Sequence, residues 1–191
     1  MVQRILDTAQ QLAGETGLKG LTTGRIAERA GLSIGSLYQY FPNKESIVLE
    51  LARRWLLGFR AALDRRRQGP RPRSWRAFVP LMHEFLQEVA RMYRESAVML
   101  PILQLMATSA ELRHVEHEHD EAIIEEMAAW FREINPALAL AEAKRLGLMV
   151  LDVGHACLST ATEARPALAA RIVEDLETMT LALLKPHLGL R

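Results

Sequence analysis

Apolar residues recur every three or four positions along most of the chain, and glycines, prolines and capping residues separate the apolar stretches. Side chains at that spacing share one face of an α-helix. The pattern predicts about nine helices and no convincing strand, and therefore an all-α fold. The helices are expected at about residues 2–16, 22–31, 34–40, 44 to the break at 68–72, 74–94, 98–107, 108–134, 138–162 and from 165 onward.

The segment from Leu21 to Glu45 contains two short predicted helices joined by a tight turn. Thr22 is a good N-cap for the first helix, and Gly31 ends it as a left-handed C-cap would. Ser33 can cap the second helix. In a helix-turn-helix the second helix of such a pair lies in the major groove of DNA. The segment therefore predicts DNA binding.

The second of these helices presents an uncharged face. Leu37 and Phe41 lie four residues apart and are expected to face the core. The positions left to face outward are Ile34, Gly35, Ser36, Tyr38, Gln39 and Tyr40. Phosphate binding is therefore expected from residues that flank the helix, and Gln39 is expected to pair with adenine through its amide. Asn43 is expected to cap the helix that follows.

The same segment resembles the DNA-binding domain of the TetR family of transcriptional regulators. The matching residues are Leu21-Thr22-Thr23, Ile26-Ala27, Ala30-Gly31-Leu32-Ser33, Gly35-Ser36-Leu37-Tyr38, Tyr40-Phe41 and Asn43-Lys44-Glu45. The ending Leu-Tyr-x-Tyr-Phe-x-x-Lys-Glu is uncommon outside that family, and the likeness covers about residues 2–55. The resemblance implies a three-helix DNA-binding domain at residues 1–46, with its helix-turn-helix at about 22–41, and a helical ligand-binding and dimerisation domain at residues 47–191.

The resemblance also implies which residues contact DNA. These are Thr23, Arg25, Ser33, Ile34, Gly35, Ser36, Tyr38, Gln39, Tyr40 and Lys44. Thr23 and Lys44 lie at predicted helix N-termini, where free backbone N–H groups favour an anion. Alternatively, Tyr38 packs against the domain instead of contacting DNA. A symmetric dimer would read a near-palindromic operator.

In the family, the C-terminal helices enclose a pocket for a small effector, and the methionine and aromatic side chains of this chain suit a mainly apolar one. The candidate pocket residues are Phe78, Met82, Phe85, Met99, Leu103, Met106, Met127, Trp130, Phe131, Met149 and Asp152. The alternative is that each methionine or aromatic residue simply belongs to the core. Asp152 and His155 lie three apart in an apolar helix, where they either orient a ligand or bond each other or a partner subunit.

The last two predicted helices carry much apolar surface, and the first of them is apolar nearly all round between Leu146 and Leu158. The family resemblance implies a homodimer through a four-helix bundle of these helices. The expected interface residues are Gly147, Leu151, Gly154, Leu158, Ile172, Leu176, Met179 and Leu183. The two glycines would let backbones approach closely. Alternatively, a monomer core covers the first of these helices entirely.

Charge is unevenly distributed along the chain, although the net charge is only +1. Residues 1–76 hold 14 lysines and arginines against 6 acidic residues, whereas residues 77–191 hold 10 against 17. A basic N-terminal third suits a phosphate backbone. The arginine-rich run from Arg65 to Arg76 contains no acidic residue, and it is either part of that basic surface or a solvated loop.

Composition argues against several classes of protein. Cys157 is the single cysteine, so an internal disulfide framework is excluded. No N-terminal stretch has the pattern of a signal peptide, and the longest apolar run is too short and too polar to span a bilayer. A soluble cytoplasmic protein is expected, with double-stranded DNA, a small effector and a second copy of the chain as its partners.

The segment from His114 to Glu121 supports a rival hypothesis, a metal sensor or a metal-dependent enzyme, because it contains several possible metal ligands. Helical spacing puts most of these side chains on an exposed face and His119 on the core side. A solvated face is the simpler interpretation, so no metal, cofactor or catalytic residue is assigned. No nucleophile motif or phosphate loop stands out. The chain is predicted to be a ligand-responsive repressor and not an enzyme, although its sequence does not encode the sign of regulation.

Overall fold

The computed structural model describes residues 1–95 and 110–191, with only the backbone given for residues 110–113 and 116. Over these residues it contains eight helices and no strand, which confirms the all-α fold class. The helices are α1 (Val2–Gly20), α2 (Thr23–Arg29), α3 (Ile34–Tyr38), α4 (Lys44–Arg67), α5 (Trp75–Glu95), α6 (Ala110–Ile134), α7 (Leu140–Glu163) and α8 (Pro166–Leu184). The helix expected at about residues 98–107 lies outside the described residues.

Side-chain caps begin α2, α3 and α4 at the residues that the sequence predicts. Each capping side chain accepts a hydrogen bond from the backbone N–H three residues ahead: Thr22 Oγ1 at 3.3 Å, Ser33 Oγ at 3.0 Å and Asn43 Oδ1 at 2.8 Å. These bonds satisfy N–H groups that every helix start leaves free. Gly31 follows α2 with φ +64°, a left-handed conformation that glycine adopts at little cost. Local chemistry therefore decides where the two helices of the helix-turn-helix begin and how they are joined.

One compact unit is built mainly from residues 1–57. α1 packs against α2, and α2 packs against α3. Ile5 of α1, Ile26 of α2, Leu37 of α3 and Ile47 of α4 are fully buried in its core. Because Leu37 is anchored in this core, the opposite face of α3 is directed outward.

A second compact unit comprises residues 58–94 and 117–191. Among its largest fully buried side chains are Leu63, Phe78, Met82, Phe85 and Phe131. α7 and α8 follow each other closely in the chain and pack together. Pro166 occupies the start of α8, where its missing N–H costs nothing and its φ suits a helix. In the described part of the chain, no helix has both the length and the apolar character needed to cross a bilayer.

The arginine-rich run begins with the last turn of α4 and is tied into the second unit by ion pairs. Arg65 and Arg66 both pair with Glu88 of α5, and the Arg66 Nη2 lies 3.1 Å from that carboxylate. Arg67 pairs with Glu133 of α6 at 3.1 Å. These three guanidinium groups therefore join α4 to α5 and α6, and they form neither a free basic surface nor a solvated loop.

Candidate functional site

The outward face of α3 is exposed and uncharged. The exposed fractions of the large side chains are 44% for Ile34 and 48% for Tyr38, and 45% for Tyr40 just beyond the end of the helix. Gly35 is exposed as well, as are the flanking residues Ser33 and Gln39. Leu37 and Phe41 are buried, as their spacing predicts. A methyl group placed on Gly35 would meet only the Ser33 Oγ, at 3.9 Å, so the backbone of α3 is open to close approach there. This face has the exposure that a major-groove reader needs.

Hydroxyl groups at the edges of this face are held by one another. Thr23 Oγ1 and the Tyr38 hydroxyl lie 3.2 Å apart, so Tyr38 is exposed and linked to the start of α2 instead of being packed in the core. Ser33 Oγ lies 2.8 Å from Ser36 Oγ in addition to capping α3. Each pair keeps its side chains in defined positions, and each retains further capacity to bond a phosphate or a base.

The two cationic residues among the expected DNA contacts are both bonded to the end of α1. Lys44 Nζ donates to the Leu18 carbonyl at 2.6 Å, and Arg25 Nη1 donates to the Gly20 carbonyl at 2.8 Å. Cations are favoured at the carbonyl end of a helix, where the last C=O groups lack partners. An ammonium group has three N–H donors and a guanidinium group has five. Both residues therefore retain donors for a phosphate while they hold α1 in place.

Two further arginines of the first unit form ion pairs that the sequence did not predict. Arg29 Nη1 lies 2.6 Å and 2.8 Å from the two oxygens of Glu15, and this hydrogen bond holds the pKa of the Glu15 carboxyl below its usual value. Arg54 pairs with Asp7 at 2.5 Å. Both pairs are exposed. The positive charge counted along the N-terminal third is thus partly neutralised within the unit, because residues distant in sequence meet in the fold.

The second unit encloses a cavity of about 20 Å³. It is lined by Phe59, Phe85, Leu86, Val89, Tyr93, Met127, Val150, Leu151, Gly154, His155 and Leu158. A cavity of this size holds about one water molecule. Among the described residues that line it, all are apolar except Tyr93 and His155, so this part of the lining combines an apolar wall with one polar contact, as small-molecule sites usually do.

The Tyr93 hydroxyl and His155 Nδ1 form the polar contact of this cavity, 3.0 Å apart. Their rings also meet edge to face, with centroids 6.0 Å apart and planes at 80°. The Tyr93 side chain is almost entirely buried. A hydrogen bond inside an apolar wall satisfies both partners, and breaking it without a replacement costs free energy.

Phe59 connects the cavity wall to a second histidine. Its ring lies edge to face with Phe85 at 5.8 Å and with His119 at 5.9 Å between centroids. Burial, and secondly the nearby Arg60 guanidinium, lowers the pKa of His119 to about 4. His119 therefore faces the core as its spacing predicts, and it is neutral near pH 7.

The expected pocket residues are only partly brought together at this cavity. Phe85 and Met127 line it, whereas Phe78, Met82, Trp130 and Phe131 are buried in the core without lining it. Met149 and Asp152 are exposed, and neither lines this cavity. Met99, Leu103 and Met106 lie outside the described residues. Tyr93 was missed, although its spacing after Phe85 and Val89 continues one helical face.

Four of the eight residues expected at a subunit interface are buried within the chain: Gly147, Gly154, Leu158 and Leu176. A methyl group added to Gly147 would lie 3.2 Å from the Ile124 carbonyl oxygen and 3.3 Å from Met127 Cβ, so this glycine serves the approach of α7 to α6. Gly154, Leu158 and the half-buried Leu151 line the cavity instead. Gly147 thus permits a close contact between α7 and α6 inside the subunit.

An apolar stripe remains on the surface of α8. It consists of Leu168, Ile172, Met179 and Leu183, which share one helical face. Leu168 is 55% exposed and Met179 is 47% exposed, while the other two are half-buried. α7 adds three exposed apolar side chains, Leu140, Leu148 and Met149. Exposed apolar residues of this kind are typical of an interaction surface.

The segment from His114 to Glu121 gives the metal hypothesis no support in the described part of the chain. His114 and His117 are exposed, and His117 Nε2 lies 3.2 Å from a Glu121 oxygen. His119 is directed to Phe59. No three described histidine, cysteine or acidic side chains are grouped as metal ligands. The segment therefore behaves as a largely solvated helical face.

Two family profiles match the chain. The profile of bacterial regulatory proteins of the TetR family matches residues 5–51, and that of a tetracyclin repressor-like C-terminal domain matches residues 74–184, more than half of the chain. The helical fold and the helix-turn-helix with its exposed second helix define a DNA-binding transcriptional regulator. The chain belongs to the TetR family.

Curated and solved relatives agree with this assignment. The HTH-type transcriptional repressor KstR2 of Rhodococcus jostii (strain RHA1) is 46% identical over 52 residues, which are 27% of this chain and 26% of that protein. The chain thus matches about a quarter of the length of that relative.

Two solved structures share the fold over nearly the whole chain. A transcriptional regulator from Rhodococcus sp. Rha1 has a TM-score of 0.77 at 22% identity and covers 100% of this chain and 99% of its own. The complex of SmeT with triclosan has a TM-score of 0.70 at 22% identity, over 95% of this chain and 90% of that one. SmeT is the repressor of the Stenotrophomonas maltophilia multidrug efflux pump SmeDEF.

Proposed function

We propose that this regulator is a ligand-responsive repressor that binds a palindromic operator as a homodimer and is released from it by a small, mainly apolar effector. The observation that carries the proposal is the exposed, uncharged face of α3, held against the core by Leu37 and flanked by residues that can bind phosphate. It acts in the cytoplasm, where bacterial DNA is found. Repression is supported by KstR2, a repressor related through the DNA-binding domain.

In this proposal α3 reads bases and its flanks bind the backbone. The amide of Gln39 bonds adenine through N6 and N7. Ile34 and the open backbone at Gly35 approach thymine methyl groups. The Thr23 and Tyr38 hydroxyl pair and the remaining donors of Lys44 bind phosphates, which position the protein on the duplex without reading its sequence.

The homodimer forms through α7 and α8. The support is the exposed apolar stripe of α8, which includes Leu168 and Met179, together with the exposed apolar residues of α7. Large apolar side chains exposed in this way are stabilised when a second copy of the same surface covers them. A two-fold dimer presents two α3 helices, and the operator is then a near-palindrome with half-sites about one helical turn apart or a multiple of it.

The effector binds at the cavity in the second unit. α4 supplies Phe59 to the cavity wall and also begins with Lys44. A ligand that moves Phe59 therefore acts on the same helix that carries a phosphate contact. The complex of SmeT with triclosan, which has the same fold, supports a small-molecule role for such a domain.

The test is a selection of bound sequences from a random double-stranded DNA library at near-physiological salt, with the purified full chain. We expect an enriched near-palindrome, and sedimentation of the complex as two chains per duplex. The matched control is Gln39→Ala, which is expected to relax the base preference at one position of each half-site. A folded dimer that enriches no sequence, even after refolding from denaturant to remove a bound ligand, would refute sequence-specific DNA binding.

A further inference from the structure

The cavity of the second unit is small, but parts of its lining can adjust to a ligand. Its volume of about 20 Å³ accommodates roughly one water molecule, so a larger ligand must displace lining side chains. Gly154 offers room, because a methyl group added there would meet nothing within 4 Å. Met127 offers adaptability, because its unbranched side chain repacks readily. A compact ligand is therefore favoured over a long one.

The lining of the cavity selects against charge. Of the described residues that line it, none has a carboxylate, ammonium or guanidinium group, and the rings of Phe59 and Phe85 form much of the wall. A charged ligand group would lose its hydration here without gaining an ionic partner among these described residues, which is unfavourable by a large margin. An apolar or aromatic body instead gains the free energy of burial.

The hydrogen bond between Tyr93 and His155 indicates which polar group suits a ligand of this cavity. A ligand that enters between these side chains separates the hydroxyl from Nδ1 and leaves one donor and one acceptor to be satisfied. A carbonyl group only accepts, and an ammonium group only donates. A hydroxyl group both donates and accepts, so it replaces both halves of the bond whichever tautomer His155 adopts.

We propose that this cavity binds a neutral, compact, apolar molecule with a single hydroxyl group, which inserts between Tyr93 and His155. The proposal deepens, and rests on, the proposed ligand-responsive function. The hydroxyl group positions the ligand, and the apolar body moves Phe59 and Met127. Tyr93 and His155 are then the residues that decide ligand specificity.

The experiment compares three probes of similar size by isothermal titration calorimetry with the full chain in the absence of DNA. 4-Ethylphenol carries the hydroxyl group, ethylbenzene lacks it, and 4-ethylbenzoate carries a charge. We expect 4-ethylphenol to bind at least as tightly as ethylbenzene, although it is the more easily hydrated of the two. We expect 4-ethylbenzoate to bind at least about 10-fold more weakly than 4-ethylphenol, since its charge has no partner.

Tyr93→Phe isolates the hydroxyl contact because it preserves the ring. The ratio of 4-ethylphenol affinity to ethylbenzene affinity should fall by about 2- to 10-fold in this variant, as loss of one net hydrogen bond implies. Gly154→Leu should abolish the binding of both neutral probes by filling the free space. Its control, Ala156→Leu, adds the same side chain at an exposed position of α7 and should leave both affinities unchanged. Circular dichroism and melting confirm that each variant is folded.

An unchanged ratio in Tyr93→Phe would overturn the hydroxyl assignment, as would tightest binding of 4-ethylbenzoate. Binding of none of the probes by the folded wild-type chain would overturn the cavity as a ligand site. Ligand-controlled repression and DNA binding are tested by different results from those that test the cavity as a ligand site. If 4-ethylphenol binds as expected but does not release the chain from its selected operator, the ligand assignment stands and ligand-controlled repression is refuted. If the probes bind but no operator can be selected, sequence-specific DNA binding is refuted and the ligand assignment stands.

Discussion

Replacing Lys44 by methionine removes a charge but keeps most of the apolar stem of the side chain. We expect this loss of charge to have two separable effects, one on the stability of the fold and one on DNA binding. The ammonium group donates to the Leu18 carbonyl at 2.6 Å, at the end of α1. A hydrogen bond from a charged group contributes about 1.5–3 kcal/mol. Lys44 is only half-buried, and the Leu18 carbonyl keeps a second donor, the Leu21 N–H at 3.4 Å. We therefore expect the free energy of unfolding to fall by about 1 kcal/mol, below that range.

The second effect of Lys44→Met concerns DNA. Each phosphate contact contributes about 0.9 to the slope of log affinity against log salt concentration. Loss of one contact in each subunit should flatten the slope by about one unit per subunit and weaken binding to all sequences alike. The slope is measured by fluorescence anisotropy with a labelled operator and with an unrelated duplex, and stability is measured by urea unfolding.

The outcomes of this variant separate a structural role of Lys44 from a phosphate contact. Lys19→Met is the control, because it removes the same charge from an exposed position of α1. It should change the free energy of unfolding by no more than about 0.5 kcal/mol. If Lys44→Met lowers stability while the salt slope stays that of the wild type, Lys44 stabilises the fold through its bond to Leu18 and does not contact a DNA phosphate. If the slope falls without loss of stability, the bond to Leu18 contributes nothing measurable.

Four further outcomes are expected. Gln39→Ala should relax base preference at one position per half-site at a cost of about 1–3 kcal/mol, and an unchanged selection profile would exclude Gln39 as a base reader. Gly147→Ala should lower the free energy of unfolding by about 1–3 kcal/mol, since its methyl group meets the Ile124 carbonyl and Met127; a melting curve like that of the wild type would contradict this close packing. The stability contribution of His119, whose folded pKa is about 4 against about 6.5 when unfolded, is present above pH 6.5 and is lost as the pH falls towards 4. His119→Leu should make the urea midpoint less dependent on pH over that range, and an equally steep dependence would argue against a half-buried neutral histidine. Met179→Glu should convert the proposed dimer to monomers in sedimentation experiments, whereas an unchanged dimer would exclude the α8 stripe from the interface.

The DNA-reading part of the molecule could be predicted from sequence because its signals are local. Thr22 and Ser33 cap helices through N–H groups three residues away, and Gly31 supplies the left-handed turn between them. The four-residue spacing of Leu37 and Phe41 identifies the buried side of α3 and, by exclusion, its exposed side. All of this information lies within about one helical turn of each residue.

The second unit shows the opposite case, because the helical period tells which side chains share a face but not what covers it. Gly147 and Gly154 are small residues on α7 whether they adjoin a partner subunit or another helix of the same chain. In the tertiary structure Gly147 lies against α6, and Gly154 lines the cavity.

Sequence alone therefore determined the helices that the structure describes, the caps of α2, α3 and α4 and the exposed face of α3, since these depend on short-range hydrogen bonds and periodicity. Only the tertiary structure brought the Tyr93 hydroxyl to His155 and Lys44 to the Leu18 carbonyl. It likewise paired Arg66 with Glu88. In each pair the partners are far apart in sequence, and the contact exists because whole helices pack together and bring them within reach, which no local pattern encodes.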